Sequence, residues 1–159
     1  MPAAPELAIG HSLGGLTLAV AVERLRPGRA IYSDPAFRLP VLDGVPMTDL
    51  FVQGKNATFE QIAAAHPDFP RRGRGRAGDA QGLGHRHRAR AGPVLRPGLH
   101  PEPVVPSLVQ LADPSFLVPP DFATELKEKG FEVRTVTGAE HTIHRHLYDD
   151  FTASIDDWL

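Results

Sequence analysis

The stretch Ile9–Leu16, "IGHSLGGL", decides how this chain folds. Glu6 to Ile9 is a short apolar run that stops at Gly10, as a buried strand does when it leaves a sheet. Leu13 to Leu25 carries helix formers with apolar residues at Leu16, Val20, Val22 and Leu25, and it ends at Pro27 and Gly28, which stop a helix. "RAIYS", Arg29 to Ser33, follows as a second strand. Strand, tight turn, helix and strand make a right-handed crossover, the unit of parallel sheet. Ser12 therefore stands on a sharp strand-to-helix turn between Gly10 and Gly14. Such a turn demands little side chain two positions either way, and it lifts the Ser12 hydroxyl clear of the sheet. The N–H groups that open the helix, Leu13 first, point at any anion formed there.

The C-terminal third repeats the pattern. Ser107 to Ala112 reads as a strand ending at Asp113, and Pro119 and Pro120 open a helix from about Asp121 to Lys129, which Gly130 stops. Phe131 to Val136 is a further strand. Leu147, Phe151, Ile155 and Leu159 fall four apart, so the last thirteen residues are expected to form one amphipathic helix. Polar residues gather just beyond the carboxyl ends of these strands, the edge where open parallel sheets hold their ligands.

Composition narrows the chemistry. With 159 residues, 42% of them hydrophobic, one core is expected. No apolar run reaches the roughly 20 residues that span a bilayer, and the first ten residues have no basic, apolar leader pattern, so a cytoplasmic location is expected, with no membrane partner. The chain has no cysteine, which removes disulfides, thiolate nucleophiles and Cys-bound zinc. His141, His144 and His146, or His85 and His87, do not have the spacing of a closed metal site, so no metal and no other cofactor is expected.

The net charge of −2 hides an asymmetry. Eight arginines and a single acid, Asp79, lie between Arg71 and His100, giving that tract about +7 against about −9 elsewhere. It lacks lysine and aromatic residues, which argues against a nucleic-acid partner. Two other readings stay open: a natural disordered linker, or, the favoured one, GC-rich coding sequence translated out of frame between two compensating shifts near Pro70 and Val104. Ahead of it, Thr58 and Gln61 have the spacing of a capping box before a helix at "IAAAH".

"ELAIGHSLGGLTLAVAVERLRPGRAIYSDPAF" and "VPSLVQLADPSFLVPPDFATELKEKGFEVRTVTGAEHTIHRHLYDDFTASIDDWL" resemble the α/β-hydrolase superfamily, from its nucleophile elbow through its histidine loop and last helix. The resemblance implies an α/β class, as a partial hydrolase fold: a mostly parallel half-sheet of about four strands flanked by helices, with a poorly ordered insert. It divides the chain into 1–37 (elbow and first crossover), 38–103 (cap, with the aberrant tract 71–103) and 104–159 (acid and histidine loops). It implies Ser12 as nucleophile, His141 as general base and Asp113 as the favoured orienting acid, with Asp34 in "YSDPAF" as the rival. Glu140 stands where the family usually has glycine.

The expected reaction is hydrolysis of an ester or similar small carbonyl substrate through an acyl-serine. The family's first four strands and its second oxyanion donor precede the elbow, where this chain has eleven residues, and one such donor is worth about 100- to 1,000-fold in rate. The alternative expectation is thus a catalytically impaired fragment or interaction remnant. Its first strand would form an exposed apolar edge open to self-association.

Overall fold

The computed structural model describes residues 4–38, 41–42, 45–46, 58, 60–61, 64 and 99–159. They fall into two units, Met1–Arg38 with Gly98–Leu159 and Leu39–Pro97.

The first unit is built on four strands: β1 (Leu7–His11), β2 (Arg29–Ser33), β5 (Ser107–Leu111) and β6 (Glu132–Thr135). All neighbours pair in parallel in the order β1-β2-β5-β6, with Gly10 opposite Tyr32, His11 opposite Ser33, Ser33 opposite Gln110 and Gln110 opposite Arg134. The carboxyl ends of the strands are therefore level, and the residues just beyond them share one rim. Among the described residues β1 is hydrogen-bonded to β2 alone.

Helix α1 (Leu13–Leu25) makes the β1-to-β2 crossover. It ends where Arg26 turns left-handed, φ 45°, with its N–H on the Val22 carbonyl, one residue before the proline that forbids continuation. Helix α2 (Pro120–Glu128) links β5 to β6, with Pro at its first position and a positive-φ Gly130 just past its end. β2 and β5 are covered on both faces, which is why they read as continuous apolar runs.

Strand alternation assigns the faces. Tyr32 stacks edge-on against Phe37 and Phe131, and Phe37 against Phe122 of α2, forming an aromatic layer on one face. On the other, Ile31 and Leu108 pack with Ile155, Leu7, Phe151 and Trp158. Gln110 lies fully buried among these apolar groups. Its amide accepts from Ser33 Oγ at 2.8 Å and donates to the Phe151 carbonyl and to Ser154 Oγ, so the buried polar atoms are satisfied.

That network also accounts for a departure from the periodicity. The last thirteen residues do not form one helix: after a short α3 (Ile143–His146) they divide into α4 (Tyr148–Ala153) and a 3-10 turn, Asp156–Trp158. The Phe151 carbonyl is taken by Gln110, and the Ser154 carbonyl accepts from Arg134 Nη1 at 2.6 Å. Arg134 also forks onto Asp157 at 2.6 and 2.7 Å, fixing the terminal residues to β6. In one continuous helix Asp156 and Asp157 would, moreover, stand at its carboxyl end, where the dipole disfavours negative charge; here they open the 3-10 turn instead.

The two ends of the intervening segment meet on the first unit. Leu99 N–H donates to the Phe37 carbonyl at 3.0 Å, and Arg38 and His100 both reach the Glu125 carboxylate, at 2.6 and 3.0 Å. The Arg38 guanidinium also lies 3.6 Å over the Phe122 ring. In the second unit, β3 (Val41–Leu42) and β4 (Val45–Pro46) form an antiparallel pair. The capping box expected there is present: Thr58 N–H donates to Gln61 Oε1 at 2.7 Å, and Gln61 N–H to Thr58 Oγ1 at 3.3 Å. The basic tract 71–98, with His85 and His87, lies outside the described residues. No helix among the described residues is long and apolar enough to cross a membrane.

Candidate active site

The turn after β1 holds Ser12 at φ 54°, ψ −121°, a conformation that a side chain rarely adopts. Four bonds hold it there. Ser12 N–H donates to the Ser33 carbonyl at 3.1 Å, and the Ser12 carbonyl accepts from Gly15 and Leu16 of α1 and from Ala36 beyond β2. Leu13 N–H, the first of α1, is among those a helix leaves without an intrahelical partner.

The glycine requirement is only partly where the spacing puts it. A Cβ on Gly10 would lie 2.5 Å from the Gly14 carbonyl oxygen, so β1 and α1 cross too closely for any side chain there. A Cβ on Gly14 would meet nothing within 4 Å, whereas one on Gly15 would lie 2.7 Å from Pro35 Cβ. The helix start is thus pressed against β1 through Gly10 and against the β2 loop through Gly15. Gly14 has no such steric duty.

His141 is delivered by the loop between β6 and α3. Its Nε2 lies 3.0 Å from Ser12 Oγ and its Nδ1 lies 2.6 Å from Asp34 Oδ2. A carboxylate only accepts, so Nδ1 carries the proton and Nε2 presents its lone pair to the serine hydroxyl. Asp34 is fully buried, and its other oxygen accepts from Ala112 N–H at 3.2 Å.

The acid beside His141 is therefore Asp34 and not Asp113. Register explains this. Ser33 is the lateral partner of His11, so the residue after β2 stands next to the residue after β1. Asp113 follows β5, one strand further along the sheet. It is exposed, its N–H donates to the Ala139 carbonyl at 2.9 Å and its carboxylate accepts from Gly138 N–H at 3.2 Å. Asp113 thus braces the loop that carries His141 without touching the imidazole. It borders an open cleft of about 370 Å³ that is also lined by Pro114, Ser115, Thr124, Lys127 and Thr135.

Two further histidines surround His141. His11 precedes the serine, and its ring centroid lies 4.8 Å from that of His141 and 4.9 Å from that of His144. The strand alternation that puts Leu7 on the face covered by the C-terminal helices puts His11 there too, a signal present in the sequence. Phe116, 43% exposed, has its ring centroid 5.1 Å from that of His141. No cluster of metal-ligating side chains occurs among the described residues. The Glu140 backbone N–H donates to His146 Nδ1 at 3.1 Å, tying the residue before His141 to α3.

Burial, reinforced by the charges of His11, Arg145 and His141, holds the His144 pKa down to about 4 from an ordinary 6.5. Above pH 6.5 the ring is neutral folded or unfolded and contributes no pH dependence. Between pH 6.5 and 4 the unfolded chain takes up a proton that the folded one resists, so stability falls across that window. Urea midpoints at pH 7 and pH 4.5 will show the drop. His144→Phe, which keeps a ring against Phe151, will reduce it; an unchanged drop would assign the acid sensitivity to other groups.

No protein-family model matches the sequence, and no curated protein matches it. Solved structures do. An esterase from Exiguobacterium antarcticum superposes with a TM-score of 0.64 at 15% identity, covering 94% of this chain and 65% of its own. An N-formylmaleamic acid deformylase from Pseudomonas putida S16 gives 0.59 at 13% identity, with 94% and 65% covered. Tomato methylketone synthase I complexed with 2-tridecanone gives 0.57 at 13%, with 96% and 69% covered.

The fold is that of the α/β-hydrolases. This chain spans about two thirds of the length of these α/β-hydrolase structures, and its parallel four-stranded sheet with flanking helices corresponds to part of the α/β-hydrolase fold.

Proposed function

We propose that the chain is a serine hydrolase that cleaves an ester or similar small carbonyl substrate through an acyl-serine intermediate. The observation that carries this reading is the continuous relay from Ser12 Oγ to His141 Nε2 at 3.0 Å and from His141 Nδ1 to Asp34 Oδ2 at 2.6 Å. The proposed nucleophile is Ser12, the general base His141 and the orienting acid Asp34. Attack forms a bond from Ser12 Oγ to the carbonyl carbon while the hydroxyl proton passes to His141 Nε2. The carbonyl oxygen becomes an anion, and Leu13 N–H donates to it. When the tetrahedral centre collapses, the bond to the leaving alcohol breaks and His141 returns the proton to that oxygen. A water deprotonated by His141 then attacks the acyl-serine, releasing the acid and restoring Ser12.

Asp34 holds the imidazole in the tautomer this sequence needs and offsets the positive charge it acquires. Esterases and a thioesterase domain among the structural neighbours favour this reaction class. Exposed Phe116 beside the base, together with Leu13 after the nucleophile, favours an apolar group on the substrate. The strand edge at β1 favours self-association of the chain.

A fluorophosphonate probe tests the proposal on the folded chain. Covalent labelling that disappears in Ser12→Ala is expected. Absence of labelling on folded wild-type protein would overturn it in favour of the second reading, a hydrolase-fold remnant without activity of its own.

A further inference from the structure

The imidazole of His11 is accounted for neither by the relay nor by the sheet. It lies on β1 immediately before the nucleophile, half-buried, and its Nε2 is 3.0 Å from the backbone carbonyl of His141. A carbonyl only accepts, so Nε2 carries the hydrogen and donates it. His11 is packed between the rings of His141 and His144. Burial lowers its pKa, so the uncharged ring that can lie in this stack is the favoured one.

The loop that His11 reaches runs from Val136 to Ile143 and carries a positive-φ glycine, Gly138; Asp113 ties it at Gly138 and Ala139, and the Glu140 N–H ties it to His146 of α3. Beyond Ala139 the chain must deliver a side chain to within 3.0 Å of a serine on another element. The two bonds of the His141 imidazole fix its ring, and the bond from His11 fixes its backbone.

We propose that His11 is a positioning residue for the base: its Nε2–H pins the His141 backbone to β1, so the nucleophile and the base are held at one distance by the residue adjoining the nucleophile. This rests on the serine-hydrolase reading for its effect on rate. Its effect on the geometry of His141 does not depend on that reading. His11 is hydrogen-bonded to neither Ser12 Oγ nor His141 Nε2, and it acts only through His141.

The test compares two side chains of nearly equal length in the full chain. His11→Gln retains an N–H donor and His11→Met does not, while both lose the ring. Labelling by a fluorophosphonate is followed as a function of probe concentration. In parallel, the hydrogen-bonded Nδ1–H of His141 is observed as a far-downfield proton resonance. His11→Met is expected to lower the limiting labelling rate by about tenfold, the worth of one hydrogen bond, with the half-saturating probe concentration unchanged. The downfield proton broadens or disappears. His11→Gln restores both to near the wild-type values.

A His11→Met protein that labels like wild type and retains the resonance would overturn the proposal. So would equal losses in both variants, which would assign the effect to ring packing. If the wild type shows the resonance and loses it in His11→Met but never labels, the positioning stands and the hydrolase reading fails. If His11→Met does not fold by circular dichroism, His11→Phe takes its place. It keeps the ring contacts without a donor, and wild-type behaviour there is again the overturning result.

Discussion

Asp34→Asn is expected to slow the reaction of Ser12 about 10,000-fold, the scale of loss when a triad aspartate becomes an amide. The reason is tautomeric. An asparagine can present its N–H₂ to His141 Nδ1, which then accepts, leaving the hydrogen on Nε2 and facing Ser12 Oγ. The base would have no lone pair where the hydroxyl proton must go. Steric change is small, because Asp34 Oδ1 and the Asn carbonyl can accept equally from Ala112 N–H. Asp113→Asn is expected to change the rate by less than about tenfold, because its bond to Gly138 N–H at 3.2 Å acts on the loop and an amide oxygen can replace it. Limiting rates of fluorophosphonate labelling for the two variants decide the matter. Equal effects, or a larger one at Asp113, would sink the assignment of Asp34.

The second large effect concerns folding. Gly10→Ala places a methyl group 2.5 Å from the Gly14 oxygen, 2.7 Å from its carbonyl carbon and 2.8 Å from the Gly15 nitrogen. All three are backbone atoms, so relief requires α1 to move off β1, taking Ser12 with it. A cost of about 3 kcal/mol or more is expected, at the upper end for overpacking. Gly14→Ala meets no atom within 4 Å and exchanges glycine for the best helix former, a gain of up to about 1 kcal/mol. Thermal unfolding followed by circular dichroism should show the first variant melting well below wild type and the second at or above it. If the two variants melt alike, the close crossing at Gly10 is not what requires a glycine.

These contrasts mark what could be read along the chain and what could not. The bounds of α1 and β2 match the sequence reading, because Gly10, Pro27 and Gly28 punctuate them and the apolar spacing between is regular. β5, β6 and α2 agree to within a residue at each end, whereas β1 starts at Leu7 and runs on through Gly10 to His11, two residues past the end read at Ile9. Ser12 and His141 were legible because each sits immediately beyond a recognisable strand, or soon after one.

The choice between Asp34 and Asp113 was not, since both follow strands and both precede a proline. What separates them is lateral: β2 adjoins β1 and β5 does not, and spacing along one dimension carries no record of which strand lies beside which. The broken C-terminal helix has a similar cause. Its period of four is genuine, but Gln110 and Arg134, both distant in sequence, take up carbonyls near its end. Gly15 escaped notice because the spacing pattern names its neighbour, while the contact that excludes a side chain comes from Pro35.

The junction at Phe37 and Leu99 has its own consequence. A backbone hydrogen bond of 3.0 Å joins the two residues, and the flanking Arg38 and His100 share one carboxylate. Two positions so close could be joined by a turn of a few residues. Because the entropy of closing a loop rises only with the logarithm of its length, the first unit is nearly indifferent to how long the chain between them is. Insertion, deletion and sequence drift can accumulate between these two points at little cost to the sheet that carries Ser12, Asp34 and His141.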